Sequence, residues 1–161
     1  MKPRSAGHLH VGPAMHKLGA FAVILDGQSR VLLCHRTDRD AWNLPGGGVE
    51  LLESPWEAVV REVEEEVGLK VDVQRLVGLY AVPEQEVLAL TFVCTRSGGA
   101  ERPSEEADQI QWFHPDRLPP NTLPRHVERV KDALANGTEV FMRVQAQPGA
   151  PADAAGPTLT L

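Results

Sequence analysis

A glycine-rich loop that leads directly into an acidic amphipathic helix is the feature of this sequence that most restricts its fold. Three consecutive glycines, Gly46–Gly48, stand shortly before Ser54, and the following pattern predicts a helix over Pro55–Val67. Serine is a favoured N-cap residue, and proline is favoured at the first helical position. Gly68 follows the last turn, where glycine commonly ends a helix. The segment therefore predicts a helix with a defined start and end, positioned beside a flexible backbone loop.

This predicted helix has a buried face and an acidic face when its residues are placed about 100° apart. The apolar side chains share one arc and are expected to be buried: Trp56, Val59, Val60, Val63 and Val67. Glu62, Glu65 and Glu66 share the neighbouring arc, at the i, i+3 and i+4 spacing that makes their carboxylates converge. Like charges at this spacing destabilise a helix, and the helix dipole disfavours anions in the last turn. Stability alone would place Lys or Arg at these positions.

The acidic face has two interpretations. A solvated charged surface would use Glu57 and Arg61, and Arg61 and Glu65, as i,i+4 ion pairs. That interpretation leaves the glycine loop and Glu53 beside it unexplained. Hard divalent cations need several oxygen ligands close together, and glycine lets the backbone approach a cation or a phosphate. The combination favours a Mg²⁺ or Mn²⁺ site over a purely acidic surface.

The spacing of these residues resembles the Nudix box, G-x5-E-x7-R-E-U-x-E-E-x-G-U, in which U is apolar. All nine constrained positions match: Gly47, Glu53, Arg61, Glu62, Val63, Glu65, Glu66, Gly68 and Leu69. The preceding segment Trp42–Gly47 and the order of strands from about Leu18 to Leu134 extend the resemblance over most of the chain. The resemblance implies an α/β (α+β) Nudix fold, with a mixed central β-sheet sandwiched between α-helices.

Membership of this family would imply hydrolysis of a diphosphate linked to another moiety, usually a nucleoside, with divalent metal ions bridging the phosphates. By position, the metal ligands would be the Gly46 carbonyl, Glu62, Glu65 and Glu66. Glu53 would support these ligands, and Arg61 would hold a glutamate in place. The general base is left open between Glu65 and the later acidic loop Ser104–Asp108, in which Glu106 is slightly favoured.

The substrate is less constrained than the reaction. Arg36 and Arg39 flank the loop that enters the site and are candidate phosphate contacts, with plain surface charge as the alternative. Gly47 is a candidate for close substrate approach, and Trp42 or Tyr80 for stacking on a base, although single aromatics at such places are more often core. ADP-ribose-like compounds and oxidised nucleoside triphosphates both stay open. The alternative function is a Nudix-like regulatory module that binds a nucleotide without hydrolysing it, although such modules often lose box glutamates.

Composition bounds the partners and the compartment. Sixteen Lys and Arg against 22 Asp and Glu give a net charge of −6, which argues against a long nucleic acid, including an RNA end, as the main partner. Apolar stretches are far shorter than the roughly 18 to 20 residues that span a bilayer, so no membrane partner is expected. Cys34 and Cys94 lack C-x-x-C spacing and are expected to be buried, unpaired thiols of a cytoplasmic protein. A homodimer is left open.

The remaining pattern predicts one Nudix domain over 17–144 between a flexible N-terminal arm, 1–16, and a Pro/Ala/Gly-rich disordered tail, 145–161. A turn over Asp26–Ser29 is expected to join the first two strands as a hairpin. A second helix is predicted over Pro124–Ala135, with Val127, Val130 and Leu134 on its buried face. The other predicted strands are Leu18–Leu25, Val31–His35, Lys70–Leu76, Gly78–Val82, Val87–Arg96 and Gln109–Phe113, with a turn over Ser97–Ala100.

Overall fold

A computed structural model describes residues 16–135, 137–146 and 158–160, the last three through their backbone only. The helices in this part of the chain are α1 (Pro55–Val67) and α2 (Pro124–Leu134), with short 3₁₀ turns at Pro83–Gln85 and Pro115–Arg117. The strands are β1 (Lys17–Ile24), β2 (Val31–Arg36), β3 (Trp42–Asn43), β4 (Gly46–Gly48), β5 (Leu69–Val82), β6 (Val87–Gly99), β7 (Ala107–Phe113), β8 (Glu139–Val144) and β9 (Thr158–Thr160).

The strands form two sheets. A mixed sheet with the order β4-β1-β6-β5-β8-β9 contains the parallel pairs β1–β6 and β5–β8. A smaller antiparallel sheet has the order β3-β2-β7. The turn at Asp26–Ser29 is present, and Leu25 bridges to Val31 behind it. The two strands joined by this turn then enter different sheets, so the predicted hairpin is limited to its first residues.

Strand β1 shows why the mixed sheet carries a helix on each face. Ala22 and Ile24 are buried in one cluster with Val63 of α1, whereas Val23 between them is buried in the other cluster with Val130 of α2. Successive side chains of a strand point to opposite faces, so each face of β1 packs on a different helix. The predicted architecture of a mixed sheet between helices is confirmed.

Helix α1 has the predicted bounds and caps. The Glu57 N–H donates to the Ser54 hydroxyl (3.3 Å), and the Glu57 carboxylate accepts from the Ser54 N–H (2.8 Å), which forms a complete capping box. Gly68 has φ +78° and its N–H donates to the Glu64 carbonyl (3.0 Å). This left-handed conformation favours glycine, so the box glycine ends the helix and turns the chain into β5.

The predicted burial of Trp56 is wrong, because 59% of its surface is exposed. Helix α1 is rotated toward β4, so that its buried arc includes Glu66 together with Val59, Val63 and Val67. On a helical wheel Trp56 falls between Val63 and Val67, but it lies in the first turn of α1, and Val60, one turn further along, is half-buried. The rotation brings Glu66 into the protein, and the position of Trp56 in the first turn leaves its ring exposed.

Two segments differ locally from the prediction. The single strand β5 replaces two predicted strands, Lys70–Leu76 and Gly78–Val82. Irregularities in its pairing with β6 allow the long hairpin to twist without a break in the strand. The predicted turn over Ser97–Ala100 instead continues β6, and Gly99 pairs with Leu69.

The buried face of α2 is more polar than its apolar pattern predicts. Val130 is buried as expected, but Leu134 is 37% exposed. Asp132 is buried instead and accepts hydrogen bonds from the Tyr80 hydroxyl (3.0 Å) and the Arg143 guanidinium (2.6 Å). These contacts satisfy the carboxylate, which allows a polar residue to replace the expected leucine in the packed face.

The structure describes only part of the two chain ends. The predicted arm, apart from residue 16, and residues 147–157 and 161 of the predicted tail lie outside the described residues. Gln145 is buried against α2, and β9 pairs with β8, so the folded unit continues past its predicted end at Val144. Cys34 and Cys94 are free and buried, as predicted. Over the described ranges, the helices are too short or too polar to cross a membrane.

Truncation of Val63 to alanine tests the packing of α1. Val63 is fully buried between α1 and the sheet, so the loss of two methyl groups is expected to lower the free energy of unfolding by about 2 kcal/mol. Urea denaturation measures this change. The matched variant Val60→Ala, at a half-buried position of the same helix, is expected to cost less, and equal costs would contradict the observed rotation of α1.

Candidate active site

An open cleft of about 490 Å³ lies between β1, β4 and α1, and its lining includes Gly46–Gly48, Arg36, Asn43, Glu66 and Glu106. It adjoins an acidic pocket of about 250 Å³ that shares Glu66 and Glu106 with it. The acidic pocket is lined by Glu62, Glu65, Glu66, Ser104, Glu105 and Glu106. The structure thus brings the acidic face of α1 and the later acidic loop to one place, beside the glycine strand.

Glu66 is the most enclosed carboxylate of the site, with 6% of its surface exposed. One oxygen, Oε2, accepts from the Gly46 N–H (2.9 Å), and the other, Oε1, lies 3.2 Å from the Cys34 sulfur. Burial raises the pKa of Glu66 to about 7, against the hydrogen bonds that favour its ionised form. The carboxylate is therefore fixed in place at an unfavourable electrostatic position, which a cation would relieve.

Glu62 lies against Gly47. A Cβ atom at position 47 would lie 2.6 Å from the carboxyl carbon of Glu62, so the glycine leaves the space that this side chain occupies. Burial raises the pKa of Glu62, and the negative charges of Glu65 and Glu106 add to that rise, while Arg61 opposes it. Gly47 and Glu62 are thereby matched in shape.

Arg61 connects the glutamates of the site. Its guanidinium donates to Glu53 (2.6 Å), Glu62 (3.0 Å) and Glu65 (3.1 Å), and to the Gly48 carbonyl (3.0 Å). The hydrogen bonds that Glu53 accepts from Arg61 and from the Glu50 N–H hold the pKa of Glu53 below its usual range. One arginine therefore joins α1, β4 and the loop between them, and it fixes the relative positions of the carboxylates.

The donor set suits a hard divalent cation. Among the described residues, no three Asp, Glu, His or Cys side chains are close enough to enclose an ion as they stand. The side chains of the acidic pocket nevertheless offer carboxylate oxygens, the donors that Mg²⁺ and Mn²⁺ prefer. Burial and mutual repulsion both raise the pKa of Glu62 and Glu66, so a bound cation would lower the energy of the cluster.

The candidate substrate contacts fall in different places. Arg36 lines the cleft, with its guanidinium paired to Asp38 (2.6 Å). Arg39 is exposed and lines a neighbouring chamber instead. Trp42 is buried in the core, with its ring centroid 5.1 Å from that of Phe113, and Tyr80 is fully buried. The burial of both rings favours the core alternative over a stacking role, because neither ring lines the cleft.

Sequence reasoning missed the residues that support the site from the smaller sheet. Asn43 lines the cleft from β3, although it is almost fully buried, and its side-chain oxygen lies 3.3 Å from the Cys34 sulfur. Cys34 is one of the two thiols expected to act only as small buried hydrophobes. The position of Asn43 within the Trp42–Gly47 segment was the available signal, but its contact with Cys34 depends on the register in which β3 pairs with β2.

The model of the NUDIX domain matches residues 15–135. The chain belongs to the Nudix family. It is 38% identical over 122 residues to a MutT-like protein from Streptomyces ambofaciens, which covers 76% of this chain and 79% of that protein. It is 34% identical over 132 residues to a putative 8-oxo-dGTP diphosphatase from Bacillus subtilis (strain 168), which covers 81% of this chain and 89% of that protein. Membership and a complete box make this protein a Nudix hydrolase, an enzyme that acts on diphosphate bonds.

A solved Nudix structure shares the fold. An ADP-ribose pyrophosphatase from Streptococcus suis 89-1591 superposes with a TM-score of 0.64 at 28% identity. The superposition covers 80% of this chain and 98% of that protein. Nearly the whole of a known Nudix enzyme is therefore matched by the described domain.

Replacing Gly47 by alanine tests the fit between β4 and α1. The new methyl group would displace the Glu62 carboxylate, whose flexible end can move, so we expect little loss of stability. Misplaced catalytic groups lower rates steeply, and kcat/KM for a diphosphate substrate is expected to fall at least about tenfold.

The neighbouring variant Gly48→Ala is the matched control for this prediction. A Cβ atom at position 48 meets no heavy atom within 4 Å, so the variant is expected to keep its activity. Equal activity of the two variants would contradict the role assigned to the space beside Glu62.

Proposed function

We propose that this Nudix hydrolase cleaves the diphosphate linkage of a nucleoside diphosphate derivative with the help of Mg²⁺ or Mn²⁺. The observation that carries the proposal is the convergence of the box residues Glu62, Glu65 and Glu66 on one acidic pocket, which opens beside the glycine strand β4. A purely structural acidic face would not bury Glu66 against the Gly46 N–H or reserve space for Glu62 at residue 47. A regulatory module that binds without hydrolysis is the alternative function.

The division of roles follows from the contacts. Glu62, Glu65, Glu66 and the Gly46 carbonyl would hold the metal, in line with their box positions. When bound, such an ion neutralises phosphate charge and lowers the pKa of a bound water. Arg61 and Glu53 are positioning residues, because they fix the glutamates through hydrogen bonds. Gly46 and Gly47 leave the backbone of β4 accessible to the phosphates.

We assign the general base to Glu106. The Glu65 side chain is 62% exposed, and its Oε2 already accepts a hydrogen bond from Arg61 (3.1 Å), so that oxygen is engaged by the guanidinium. Glu106 lines both the cleft and the acidic pocket, and its charge is close enough to raise the pKa of Glu62 and Glu66. A carboxylate at this position can take a proton from an attacking water between the two cavities.

Glu106→Gln tests this assignment. The variant loses the proton acceptor while keeping the shape, so kcat is expected to fall by about 10²-fold or more, with metal affinity unchanged. The matched control Glu105→Gln, in the same acidic loop, is expected to keep most of its activity. A large fall for Glu65→Gln and none for Glu106→Gln would move the base to α1.

A substrate panel tests the proposed function. The names of the relatives described above suggest two classes of substrate for this chain, ADP-ribose and oxidised nucleoside triphosphates. Purified protein with Mg²⁺ or Mn²⁺ would be supplied with ADP-ribose, 8-oxo-dGTP and dGTP, and the products separated by ion-exchange chromatography. We expect AMP from ADP-ribose, or a nucleoside monophosphate and pyrophosphate from a triphosphate. Binding of these compounds without any product would establish the non-hydrolytic alternative.

A cytoplasmic location and a homodimeric state of the protein are also proposals. Two buried, unpaired thiols agree with a reducing cytoplasm. Fractionation of the cells that make the protein, and light scattering of the purified enzyme, would test a cytoplasmic location and a homodimer.

A further inference from the structure

A second chamber, of about 500 Å³, adjoins the cleft and shares four lining residues with it: Phe21, Arg36, Gln85 and Val87. Its electrostatics are opposite to those of the acidic pocket. Four arginines line it, Arg36, Arg39, Arg125 and Arg129, and its lining includes no Asp or Glu in the described part of the chain. This concentration of positive charge is unexpected in a protein with a net charge of −6.

Arg129 is the decisive residue of this chamber. It is only 2% exposed, and its Nε (3.1 Å) and Nη2 (2.8 Å) both donate to the neutral Gln145 side chain. The rings of Phe21 and Tyr80 flank the guanidinium at 4.8 Å and 5.1 Å. Nη1 has no hydrogen-bond partner within the described ranges. A buried cation without a carboxylate partner is costly, so the fold retains a charge that a ligand can neutralise.

The other arginines of this region show the contrast. Arg36 is paired with Asp38 (2.6 Å), Arg125 with Glu84 (3.4 Å), and Arg143, outside the chamber, with Asp132 (2.6 Å). These carboxylates serve their own arginines. Among the described residues, the guanidinium of Arg129 bonds directly to no carboxylate, and Glu128 reaches it only through the shared Gln145 side chain (2.7 Å).

The start of α2 adds positive potential to the same chamber, because Leu123, Pro124 and Arg125 line it. The helix begins without a capping side chain and without an acidic residue in its first turn. Helix α1, in contrast, begins with a complete capping box. An anion near the first turn of α2 would interact favourably with the helix dipole.

We propose that this chamber binds an anionic group, a phosphate monoester or a carboxylate, carried by the part of the substrate that lies beyond the cleaved diphosphate. The inference rests on the proposed function, because it names the class of substrate that the same site takes. The diphosphate occupies the cleft beside the box glutamates, and the second anion reaches Arg129 across the shared wall formed by Phe21 and Arg36. Substrates with a distal anion are therefore preferred over their neutral counterparts.

Matched pairs of diphosphates test this preference. UDP-glucuronate and UDP-glucose differ by a carboxylate, and 2′-phospho-ADP-ribose and ADP-ribose differ by a phosphate monoester. We expect kcat/KM to be at least about tenfold higher for the anionic member of one or both pairs, since hydrogen bonds to charged groups are the stronger ones. A ratio near one in both pairs would overturn the inference and leave the proposed function intact.

Variants assign the preference to the chamber. Arg129→Gln removes the buried charge and is expected to bring the ratio of kcat/KM between anionic and neutral substrates close to one. If Arg129→Gln does not fold, Arg125→Gln, at a half-buried position, is expected to lower the same ratio. Arg117→Gln removes an exposed arginine outside the chamber and should leave the ratio unchanged. An unchanged ratio in folded Arg129→Gln, or a preference of the wild type for neutral guanine nucleotides that this variant loses, would contradict an anionic ligand.

Calorimetric binding separates this inference from the proposed hydrolysis. In EDTA, without turnover, the wild type is expected to bind UDP-glucuronate or 2′-phospho-ADP-ribose at least about tenfold more tightly than its neutral partner. This result together with no hydrolysis in Mg²⁺ would refute the proposed function alone. Equal dissociation constants within both pairs would refute the proposal that this chamber binds an anion, whatever the hydrolysis assay shows.

Discussion

Glu62→Gln is expected to lower kcat by about 10²-fold or more, the size of effect seen when one electrostatic element is removed from a transition state. The substitution keeps the shape of the side chain beside Gly47 but removes one of the negative charges that would hold the metal. Glu66→Gln is expected to behave similarly, because its amide oxygen can still accept from the Gly46 N–H while the charge is lost. Steady-state kinetics at saturating metal and substrate would measure both effects.

Glu64→Gln is the matched control for these variants. Glu64 carries the same charge on the same helix, but it is exposed and lines neither the cleft nor the acidic pocket. Its replacement is expected to leave kcat close to that of the wild type. A generic acidic surface would predict similar small effects for Glu62, Glu64 and Glu66. Equal activity of Glu62→Gln, Glu64→Gln and the wild type would therefore remove the catalytic role and leave only the shared fold.

The box segment could be predicted from the sequence because its determinants are local. The caps of α1 at Ser54 and Gly68 depend on residues within one turn, and the convergence of Glu62 and Glu66 depends only on helical spacing. The exposure of Trp56 could not be predicted from the same spacing. The rotation of α1 is set by its contacts with β4 and the sheet, and a helical wheel does not contain these contacts.

The second chamber, which contains Arg129, could not be predicted from the sequence for the same reason. Arg129 is in α2, while its partner Gln145 and the flanking ring of Phe21 come from segments far away in the chain. In the sequence, Arg129 belongs to the polar part of an amphipathic pattern and indicates a solvated face. Only the packing of α2 beside β1 and β5 shows that this arginine is buried and lacks an anionic partner within the described residues.

Removal of divalent metal is expected to abolish hydrolysis, and addition of Mg²⁺ or Mn²⁺ is expected to restore it. The reason is electrostatic: Glu62 and Glu66 are carboxylates whose pKa is raised by burial and by neighbouring negative charge, so without a cation their ionised forms are unfavourable. An assay of product release in excess EDTA, followed by each metal in turn, tests this expectation. Activity that persists in excess chelator would contradict a metal-dependent reaction.

The same cation should stabilise the folded protein, because it binds the assembled site and not the unfolded chain. At a metal concentration of 100 times the dissociation constant, the gain is about 2.7 kcal/mol, which corresponds to a rise in Tm of several degrees for a chain of this size. Glu62→Gln is expected to reduce the rise, because one ligand loses its charge, whereas Glu64→Gln should keep it in full. A rise of the same size in both variants would place the cation elsewhere on the protein, because the two substitutions change the net charge equally and only Glu62 lines the acidic pocket.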